Sequence, residues 1–510
     1  MDTKRKARIR RLPHGGARLG TRLPLLRRRR WRNHTGNQAV DPVAIVDARS
    51  PADLAEAVAE ARARSLTVRM VGSGHSWSDV ALTTGYMVPA DGFVGVEPFP
   101  AALRRPGDRE APLVCVGSGT TIRAVNDWLE RNGLALIQMG GYDGQTLAGV
   151  VSTSTHGSGF QFKPFPDYVR SIDLVDGTGR FRRIEPEDGP TDERAFRDGR
   201  PEWELTQNDE WFDAVACGMG CMGLIVSLAI EVRDAFRLTE VRTLTDWSTV
   251  RAQLLAGEPH KHDHYEVYIN PYPRDGPGSN RCIVTIRTEG SKQGAATHRP
   301  WLPELMGHLP WITLGVMQLF EKLAPQRIPG LLDSSLKLIE CPKGYTNASY
   351  RVFNIGSTNN LRAYSGEMGV PTEGNRHVAA VERMIEIAER YRRDGAILHT
   401  SPVSLRFVAP SRALMSMMHG RETMMMELIQ LVDTDGGQEV IAAHEEALAE
   451  FGVRPHWGQI NTLAGSAEIA KRYSGLAAWQ SVRARLDPDG VFSSPFSRRV
   501  GITAQGVSSS

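Results

Sequence analysis

Histidines beside glycine-rich turns recur at three places in the chain. They are His75 in "VGSGHS", His156 in "THGSG" and His456 in "PHWGQ". Glycine lets the backbone approach a ligand closely, and imidazole is a nucleophile and an acid–base group near neutral pH. Exposed backbone N–H groups at such turns favour phosphate. The combination therefore predicts a phosphate-bearing ligand with a reactive group held beside it.

The first of these turns is weak evidence when it is taken alone. "VGSGHS" has neither the third glycine of the dinucleotide fingerprint nor the Gly-Lys-Ser/Thr of a P-loop. A tight turn after a strand is the simpler interpretation on this evidence. Two other stretches favour a ligand. Gly141–Gly159 is a run of small and hydroxyl residues that is too polar for an ordinary core, and Gly218–Val226 is a second glycine-rich entrance to a strand.

The elements that must position these turns alternate between strands and helices. Residues 40–235 predict strands, amphipathic helices and, at "SIDLVDGTGRFRRI", a hairpin. Beyond them, "HYEVYINPYPR", "AYSGEMGVP" and "PVSLRFVAP" predict strands, and "HVAAVERMIEIAERYRR" predicts a helix. This order predicts an α+β or α/β region followed by a second sheet that helices cover.

Charge is distributed unevenly along the 510 residues. The net charge is +3, but residues 1–33 hold 13 Lys/Arg and one acidic residue, which leaves 48 basic and 57 acidic residues elsewhere. We expect residues 1–40 to be a basic, disordered leader. Contact with an anionic membrane surface is an alternative, and nucleic-acid binding is not expected. No apolar segment follows the basic stretch, so we predict no signal peptide and a cytoplasmic location.

Cysteine and histidine spacings do not indicate a metal site. The five cysteines are scattered and odd in number, and neither a disulfide framework nor a thiolate metal site is expected. "HKHDH", at residues 260–264, would place three histidines on one face of a strand, which could bind zinc. It lacks a fourth ligand, so a polar strand entrance is the favoured interpretation.

Taken together and in order, these motifs resemble those of the vanillyl-alcohol-oxidase-type flavoproteins, and within them the aldonolactone oxidase and alditol oxidase group. The resemblance runs from about Val43 to Phe496 and includes "LDPDGVF" near the end. It implies an α+β fold: an FAD-binding domain of two α+β subdomains (41–235), a substrate domain with an antiparallel sheet covered by helices (236–450), and a C-terminal segment (451–500) that returns to the flavin.

The resemblance also implies which residues hold FAD. The first loop would bind the pyrophosphate, the second would line the cofactor, one backbone position would meet the adenosine half, and one histidine would lie near the isoalloxazine. In that order they are Gly72, Ser73, Gly74 and Ser76; Thr146, Gly149, Thr153, Ser154, Thr155 and His156; Ile225; and His456.

His75 matches the histidine that binds covalently to the flavin 8α-methyl group in this family. A neutral imidazole is a competent nucleophile, and the methyl carbon becomes electrophilic when the ring system is polarised. The resemblance therefore implies covalent FAD through His75. The alternative is a histidine that only hydrogen-bonds the cofactor.

The substrate side departs from the family pattern. Sugar-oxidising relatives have a Glu-x-Arg pair and a His-Trp-Gly-Lys motif. Here Arg406 matches the arginine, but Ser404 stands in the place of the acid and Gln459 in that of the lysine. Gly141 replaces a serine that contacts polyols. Arg406 can still stabilise an alkoxide or a reduced flavin.

Two further groups are candidates for the proton chemistry. We expect His456, together with Arg406, to be catalytic, although a histidine that merely packs beside the flavin is an equal alternative. Glu367, in "GEMGVP", either supplies the carboxylate missing at Ser404 or simply packs in its strand.

The resulting prediction is an FAD-dependent oxidase of a CH–OH group in a sugar lactone, a polyol or another alcohol. Hydride passes to flavin N5 and electrons then pass to O2. In the family that the chain resembles, a small residue beside the flavin favours access of oxygen, and Gly140 and Gly141 stand at that place. The alternatives are a dehydrogenase that uses a quinone or cytochrome, and a flavin-binding protein that has lost catalysis through Ser404 and Gln459. The substrate and the oligomeric state do not follow from the sequence.

Overall fold

A computed structural model describes residues 25–26, 30–107, 111–290, 297, 310–356, 360–395 and 398–503. Most of the predicted leader lies outside these residues. Residues 30–40, which the sequence assigned to the leader, form a short hairpin that packs on the first glycine loop. In it, the His34 backbone N–H donates to the Gly74 carbonyl over 2.8 Å. The remainder forms three main sheets with helices.

The first sheet delivers the chain to the first glycine loop. In the described part its order is β1-β4-β6-β5, and β4 and β5 both run parallel to β6. A helix at Pro51–Ala63, capped by Ser50, packs its apolar side on the sheet. The strands, with the hairpin β2–β3, are β1 Leu25–Leu26, β2 Trp31–Arg32, β3 Ala39–Val40, β4 Ala44–Val46, β5 Val68–Val71 and β6 Tyr86–Pro89.

The second sheet adjoins the other two glycine-rich segments, Gly141–Gly159 and Gly218–Val226. Its order among the described residues is β12-β11-β10-β13-β8-β7, with β9 paired to β13. The predicted hairpin is confirmed as β10–β11, and the strand after the second glycine-rich entrance is confirmed as β13. The strands are β7 Val96–Pro98, β8 Leu113–Gly117, β9 Leu134–Leu136, β10 Val169–Val175, β11 Phe181–Glu185, β12 Trp203–Gln207 and β13 Leu224–Asp234.

The third sheet is antiparallel throughout its described part, in the order β17-β14-β16-β15-β19-β20-β18-β21. Side chains alternate between its two faces, so one face can hold an apolar core while the other faces a site. The strands are β14 Arg237–Asp246, β15 His264–Ile269, β16 Arg281–Gly290, β17 Cys341–Ala348, β18 Ala363–Pro371, β19 Val403–Val408, β20 Thr423–Leu431 and β21 Arg454–Pro455.

Helices cover the apolar face of this third sheet. Met368, Leu405 and Met426 are fully buried there against Val381 and Ile441 of two covering helices. The described helices, besides Pro51–Ala63, are Ile122–Arg131, Leu147–Ser152, Glu193–Gly199, Asp209–Ala216, Trp247–Leu255, Pro310–Leu323, Ile328–Leu338, Ser349–Phe353, Arg376–Arg393, Gly437–Ala447, Ser466–Arg472, Leu476–Leu486 and Pro495–Arg499.

The C-terminal segment returns to the cofactor side of the molecule. Trp457, Trp479 and Phe496 are buried in the same core as the second sheet, and the Val68 backbone N–H donates to the Val491 carbonyl over 2.8 Å. The α+β class with an antiparallel sheet covered by helices is thereby confirmed. The described residues contain no helix long and apolar enough to cross a membrane.

The three histidines of "HKHDH" do not share a strand face. Residues 258–261 form a 3-10 turn, and only His264 lies in β15, where it is buried and stacked on Phe162. His260 pairs with Glu422, and His262 pairs with Glu258. A zinc site on one strand face was the wrong picture, because the chain turns before the strand begins.

Candidate active site

A cavity of about 800 Å³ lies where the glycine loops meet the third sheet. The loop after β5, the segment around the helix Leu147–Ser152 and the entrance to β13 form one end. The exposed face of the third sheet and the helices Pro310–Leu323 and Ile328–Leu338 form the other. The cavity therefore joins all the motifs that the sequence singled out.

The first loop is shaped so that backbone, rather than side chain, faces the cavity. A Cβ at Gly72 would overlap the Thr146 hydroxyl, and Gly74 has a φ of +70°, where side chains are strained. The Asn33 amide donates to the Ser76 carbonyl over 2.9 Å and fastens the loop to the leader hairpin. Glycine is therefore required at both positions by space or conformation.

His75 projects from this loop into the cavity in a fixed orientation. Its Nε2 lies 2.6 Å from the Tyr142 hydroxyl, its Nδ1 lies 3.1 Å from Ser73 Oγ, and the His34 ring stacks on it at 4.4 Å. Burial, reinforced by His34, lowers the pKa of His75 to about 4. The imidazole is therefore neutral and nucleophilic at physiological pH.

The second loop begins with a capped helix. Thr146 Oγ1 accepts from the Gly149 backbone N–H at 3.3 Å, and the Thr153 hydroxyl donates to the Gly149 carbonyl. Thr155 and His156 follow on the cavity wall, and Ile225 at the start of β13 lies beside them. Ser154 is different, because it is fully buried at a φ of +57° and its hydroxyl bonds to Ser416.

On the substrate side, Arg406 is held in a row of alternating charges across the third sheet. Its Nε donates to Glu266 Oε1 at 2.9 Å, and its Nη1 lies 3.7 Å from Glu427 Oε2. Glu266 also accepts from Arg287. Burial opposes ionisation, but these two guanidinium groups hold the pKa of Glu266 far below its ordinary range. Arg406 is therefore a fixed cation at the cavity wall.

Ser404 does not reach the cavity. Its side chain is fully buried, and its hydroxyl has no hydrogen-bond partner among the described residues. The register pairs Ser404 of β19 directly with Glu427 of β20, whose side chain does line the cavity. A carboxyl group thus stands beside Arg406, although it comes from the neighbouring strand.

Glu367 places a second carboxyl group on the same wall. It is the cross-strand partner of Glu427, and its Oε2 lies 3.4 Å from His156 Nε2. Its Oε1 is buried and has no partner among the described residues. Burial would raise the pKa of Glu367, but His156, His456 and Arg406 outweigh it and hold that pKa at about 2. Glu367 is therefore an ionised carboxylate with a free acceptor atom.

His456 lies next to Glu367 with one ring nitrogen already engaged. Its Nδ1 accepts from the Gly458 backbone N–H at 3.0 Å, so the neutral ring carries its hydrogen on Nε2. Burial lowers its pKa to about 4. Ligand atoms of His156, Glu367 and His456 lie within 4.8 Å of one another and could hold a metal ion. The hydrogen bonds already in place make them an acid–base cluster.

Gln459 links the two carboxyl groups. Its Nε2 lies 3.1 Å from Glu367 Oε2 and 3.3 Å from Glu427 Oε1, and its Oε1 lies 2.7 Å from the Ser365 hydroxyl. Ser365 is also 2.9 Å from Glu427 Oε1. The residue in the place of the family lysine is therefore the centre of a hydrogen-bonded network.

The structure thus gathers most of the sequence-predicted site residues around one cavity and leaves two out. Ser154 and Ser404 are not among the residues that line it. The residues that the sequence analysis missed are His34, Tyr142, Ser365, Glu266 and Glu427. Glu427 and Glu266 carried a local signal, as the single carboxyl groups in the apolar strands "TMMMELIQL" and "HYEVYI". The residues that line the cavity as predicted are Gly72, Ser73, Gly74, His75, Ser76, Gly141, Thr146, Gly149, Thr153, Thr155, His156, Ile225, Arg406, His456 and Gln459.

Apolar side chains from two helices line another part of the cavity. They come from the helices Pro310–Leu323 and Ile328–Leu338, which place Val316, Met317, Leu332 and Leu336 on the wall. Ile355, whose backbone N–H donates to the Gly141 carbonyl, joins them. The cavity therefore combines one charged wall with one apolar wall.

The cofactor-side residues fit FAD. The cavity is large, one of its ends is a backbone cradle that a Cβ at Gly72 would close, and the buried Ser118 hydroxyl on its wall has no partner among the described residues. These are the features that a polar, phosphate-bearing ligand needs.

Comparisons with known proteins agree with this geometry. Residues 42–185 match the family model "FAD binding domain", and residues 228–500 match "D-arabinono-1,4-lactone oxidase". The chain is 27% identical over 476 residues to the L-gulono-1,4-lactone dehydrogenase of Mycobacterium tuberculosis, covering 92% of this chain and 98% of that protein. It is 26% identical to the alditol oxidase of a Streptomyces species, covering 87% and 93%.

A solved structure shares the fold. A solvent-stable cholesterol oxidase superposes with a TM-score of 0.73 at 17% identity, covering 93% of this chain and 97% of that one.

Proposed function

This chain belongs to the D-arabinono-1,4-lactone oxidase family, and we propose that it oxidises an alcohol with an apolar body, using FAD tethered to His75 and dioxygen as acceptor. Membership makes it an FAD-dependent oxidoreductase that acts on CH–OH donors. The observation that carries the proposal is the cavity itself, in which a charged wall and an apolar wall face the flavin loops.

The charged wall supplies the groups that an alcohol oxidation needs. When bound, FAD accepts a hydride from the substrate carbon. The hydroxyl proton needs an acceptor, and Glu367 offers an ionised carboxylate with a free Oε1. His456 presents Nε2–H as a donor, and Arg406 stabilises negative charge on the substrate oxygen. Glu367 thereby serves as the proton acceptor of the reaction.

The apolar wall favours a substrate that is not a free sugar. Val316, Met317 and Leu336 offer no hydrogen bonds to a polyol, and burying them against an apolar body is favourable. Hydroxyl groups of a lactone or polyol that face these three side chains would be left unpaired, at a cost of about 1–3 kcal/mol each. The substrate class that fits is therefore an alcohol with its hydroxyl group at one end of a hydrocarbon framework.

The test is a screen of lactones, polyols and apolar alcohols, read as anaerobic bleaching of the flavin. Val316→Asp should raise the KM for an apolar alcohol about tenfold or more, because it puts a charge on the apolar wall. Leu319→Asp is the matched control, since both residues lie on the same helix, 43% and 54% exposed, and Leu319 does not line the cavity. Equal effects of the two variants, or a preference for lactones, would contradict the apolar substrate.

The tether through His75 rests on its neutral imidazole and fixed orientation. Acid precipitation followed by ultraviolet illumination should leave flavin fluorescence with the wild-type protein. His75→Ala should release all of it. His34→Ala is the control, because it removes the stacked ring and keeps the nucleophile. Fluorescence that stays with His75→Ala would refute the tether.

A dehydrogenase is the second candidate, because the Mycobacterium tuberculosis relative carries that name. Hydrogen peroxide formed under air at the rate of substrate loss supports the oxidase. Dye reduction without peroxide supports the dehydrogenase. A protein that, with substrate present, reduces neither dioxygen nor the dye has lost catalysis.

A further inference from the structure

Glu367 and Glu427 face the cavity as direct cross-strand partners, and Gln459 bonds to both of them. We propose that they form a carboxyl dyad that holds one proton at neutral pH, with Glu427 as the protonated member, whose hydrogen is donated to Ser365. This inference rests on the proposed function and assigns the second carboxyl group of the same site.

The hydrogen-bond count at Ser365 requires the proton. A serine hydroxyl donates only one hydrogen. The Gln459 Oε1 atom can only accept, so the 2.7 Å contact uses that hydrogen. The 2.9 Å contact between Ser365 Oγ and Glu427 Oε1 must then be donated by Glu427. An ionised Glu427 would leave two acceptors facing each other.

The opposite orientation of Gln459 is excluded by the carboxyl groups. Turning the amide would let its nitrogen donate to Ser365, but its oxygen would then face Glu367 Oε2 and Glu427 Oε1 at 3.1 and 3.3 Å. Two acceptor-to-acceptor contacts in a buried site are costly. The amide therefore points its nitrogen at the dyad, and the proton stays on Glu427.

The surrounding charges agree with this distribution. Burial and the neighbouring Glu367 raise the pKa of Glu427 against the pull of Arg406, which lies 3.7 Å from Oε2. Arg406 is itself engaged by Glu266 from β15. Glu367 has His156 and His456 beside it. Tyr268 also lies on the cavity wall, where burial raises its pKa to about 12. The imidazole groups beside Glu367 thus favour its ionised form, and the proton resides on Glu427.

The glutamine makes the dyad possible. A lysine at position 459 would put a cation between the two carboxyl groups and ionise both. The neutral amide leaves one carboxylate, Glu367, to accept the hydroxyl proton, and one carboxylic acid, Glu427, whose hydrogen is held by Ser365. When Glu367 takes the hydroxyl proton, the dyad holds two protons, and one passes to water before the next turnover.

The test is infrared spectroscopy of the FAD-loaded protein, read at the C=O stretch of protonated carboxyl groups. The wild-type-minus-Glu427→Gln difference should contain one such band at neutral pH. Gln459→Lys should remove the same band, and Ser365→Ala should shift it by deleting the acceptor. Glu445→Gln is the control, because Glu445 is a buried carboxyl group of raised pKa in the helix Gly437–Ala447. This variant should keep the Glu427 band.

Absence of the band from the wild type, or its persistence in Glu427→Gln, would overturn the dyad. If Glu427→Gln fails to fold, loss of the band in Gln459→Lys still decides the question. The readout needs no substrate, so a protein that shows the band but oxidises no alcohol retains the dyad and loses the proposed function. A protein that oxidises alcohols but lacks the band retains the proposed function and loses the dyad.

Discussion

Ser404 and Glu427 are direct partners across an antiparallel strand pair, and only the glutamate reaches the cavity. The carboxyl group that relatives carry two residues before the arginine is thus present here on the next strand, 3.7 Å from Arg406. Cβ atoms of such partners lie about 5 Å apart. A carboxyl group on either strand can therefore occupy nearly the same space. We therefore interpret the departure at Ser404 as a transfer of the acid between strands.

Exchanging the two residues should test this transfer. Glu427→Ser alone should slow flavin reduction about 100-fold, since the carboxyl group that bonds to Ser365 and Gln459 beside Arg406 is lost. Adding Ser404→Glu should restore about tenfold of that rate, because the new carboxyl group enters the space that Glu427 vacates. Single-turnover reduction in a stopped-flow instrument measures both. No recovery in the double variant would show that the two positions are not equivalent.

Two variants of Arg406 should separate its effect on stability from its effect on the rate of flavin reduction. Arg406→Ala leaves Glu266 and Glu427 without their shared cation, and we expect a loss of about 3 kcal/mol in unfolding free energy. Arg406→Lys keeps the charge but cannot serve both carboxyl groups as a planar fork. It should keep most of the stability and slow reduction about 100-fold.

Glu266→Gln provides the comparison for Arg406. Glu266 positions Arg406 without lining the cavity. Its variant should lower kcat while leaving KM nearly unchanged. An equal rise in KM would mean that Arg406 chiefly binds the substrate. Urea unfolding and steady-state kinetics give the two quantities.

Gly72→Ala should empty the cofactor site. The new Cβ would overlap Thr146 Oγ1 and displace the cap of the helix Leu147–Ser152, which costs about 1 kcal/mol. We expect FAD content, measured by flavin absorbance per protein, to fall well below that of the wild type. Gly290→Ala is the control, since its Cβ would meet Thr239 Oγ1 at an ordinary 3.6 Å. Full FAD content in Gly72→Ala would contradict the close fit.

The sequence predicted the parts of this site that depend on local backbone. Glycine turns such as Gly72–Ser76, and the capped run that begins at Thr146, carry their geometry in consecutive residues, so motif order located them. Glu427, Tyr142 and His34 reach the site through strand register and loop packing, which no spacing records. The motif indicated that the acid was missing at Ser404 for the same reason. It located Ser404 on β19, but only the strand register shows that Glu427 of β20 lies opposite it.

A buried histidine pair outside the site predicts how stability depends on pH. His399 and His444 approach within 3.3 Å through their Nε2 atoms, and both are completely buried. His444 Nδ1 donates to the Val440 carbonyl, and His399 Nδ1 accepts from Gln430, so a single hydrogen between the rings completes the network with both neutral. Burial lowers the pKa of His444 to about 4 and that of His399 well below its ordinary value.

In the unfolded chain the histidine pKa values are about 6.5. Between that pH and about 4, the unfolded chain therefore binds protons that the folded pair does not bind. The stabilisation from the neutral pair is therefore complete above about pH 6.5 and is lost as the pH falls toward 4, at about 1.4 kcal/mol per pH unit for each imidazole. His444→Gln should reduce that slope by about this amount, measured by urea unfolding between pH 6.5 and 4. The packing cost of the variant appears equally at pH 8 and cancels from the slope. An unchanged slope would mean that His444 does not resist protonation in the folded protein.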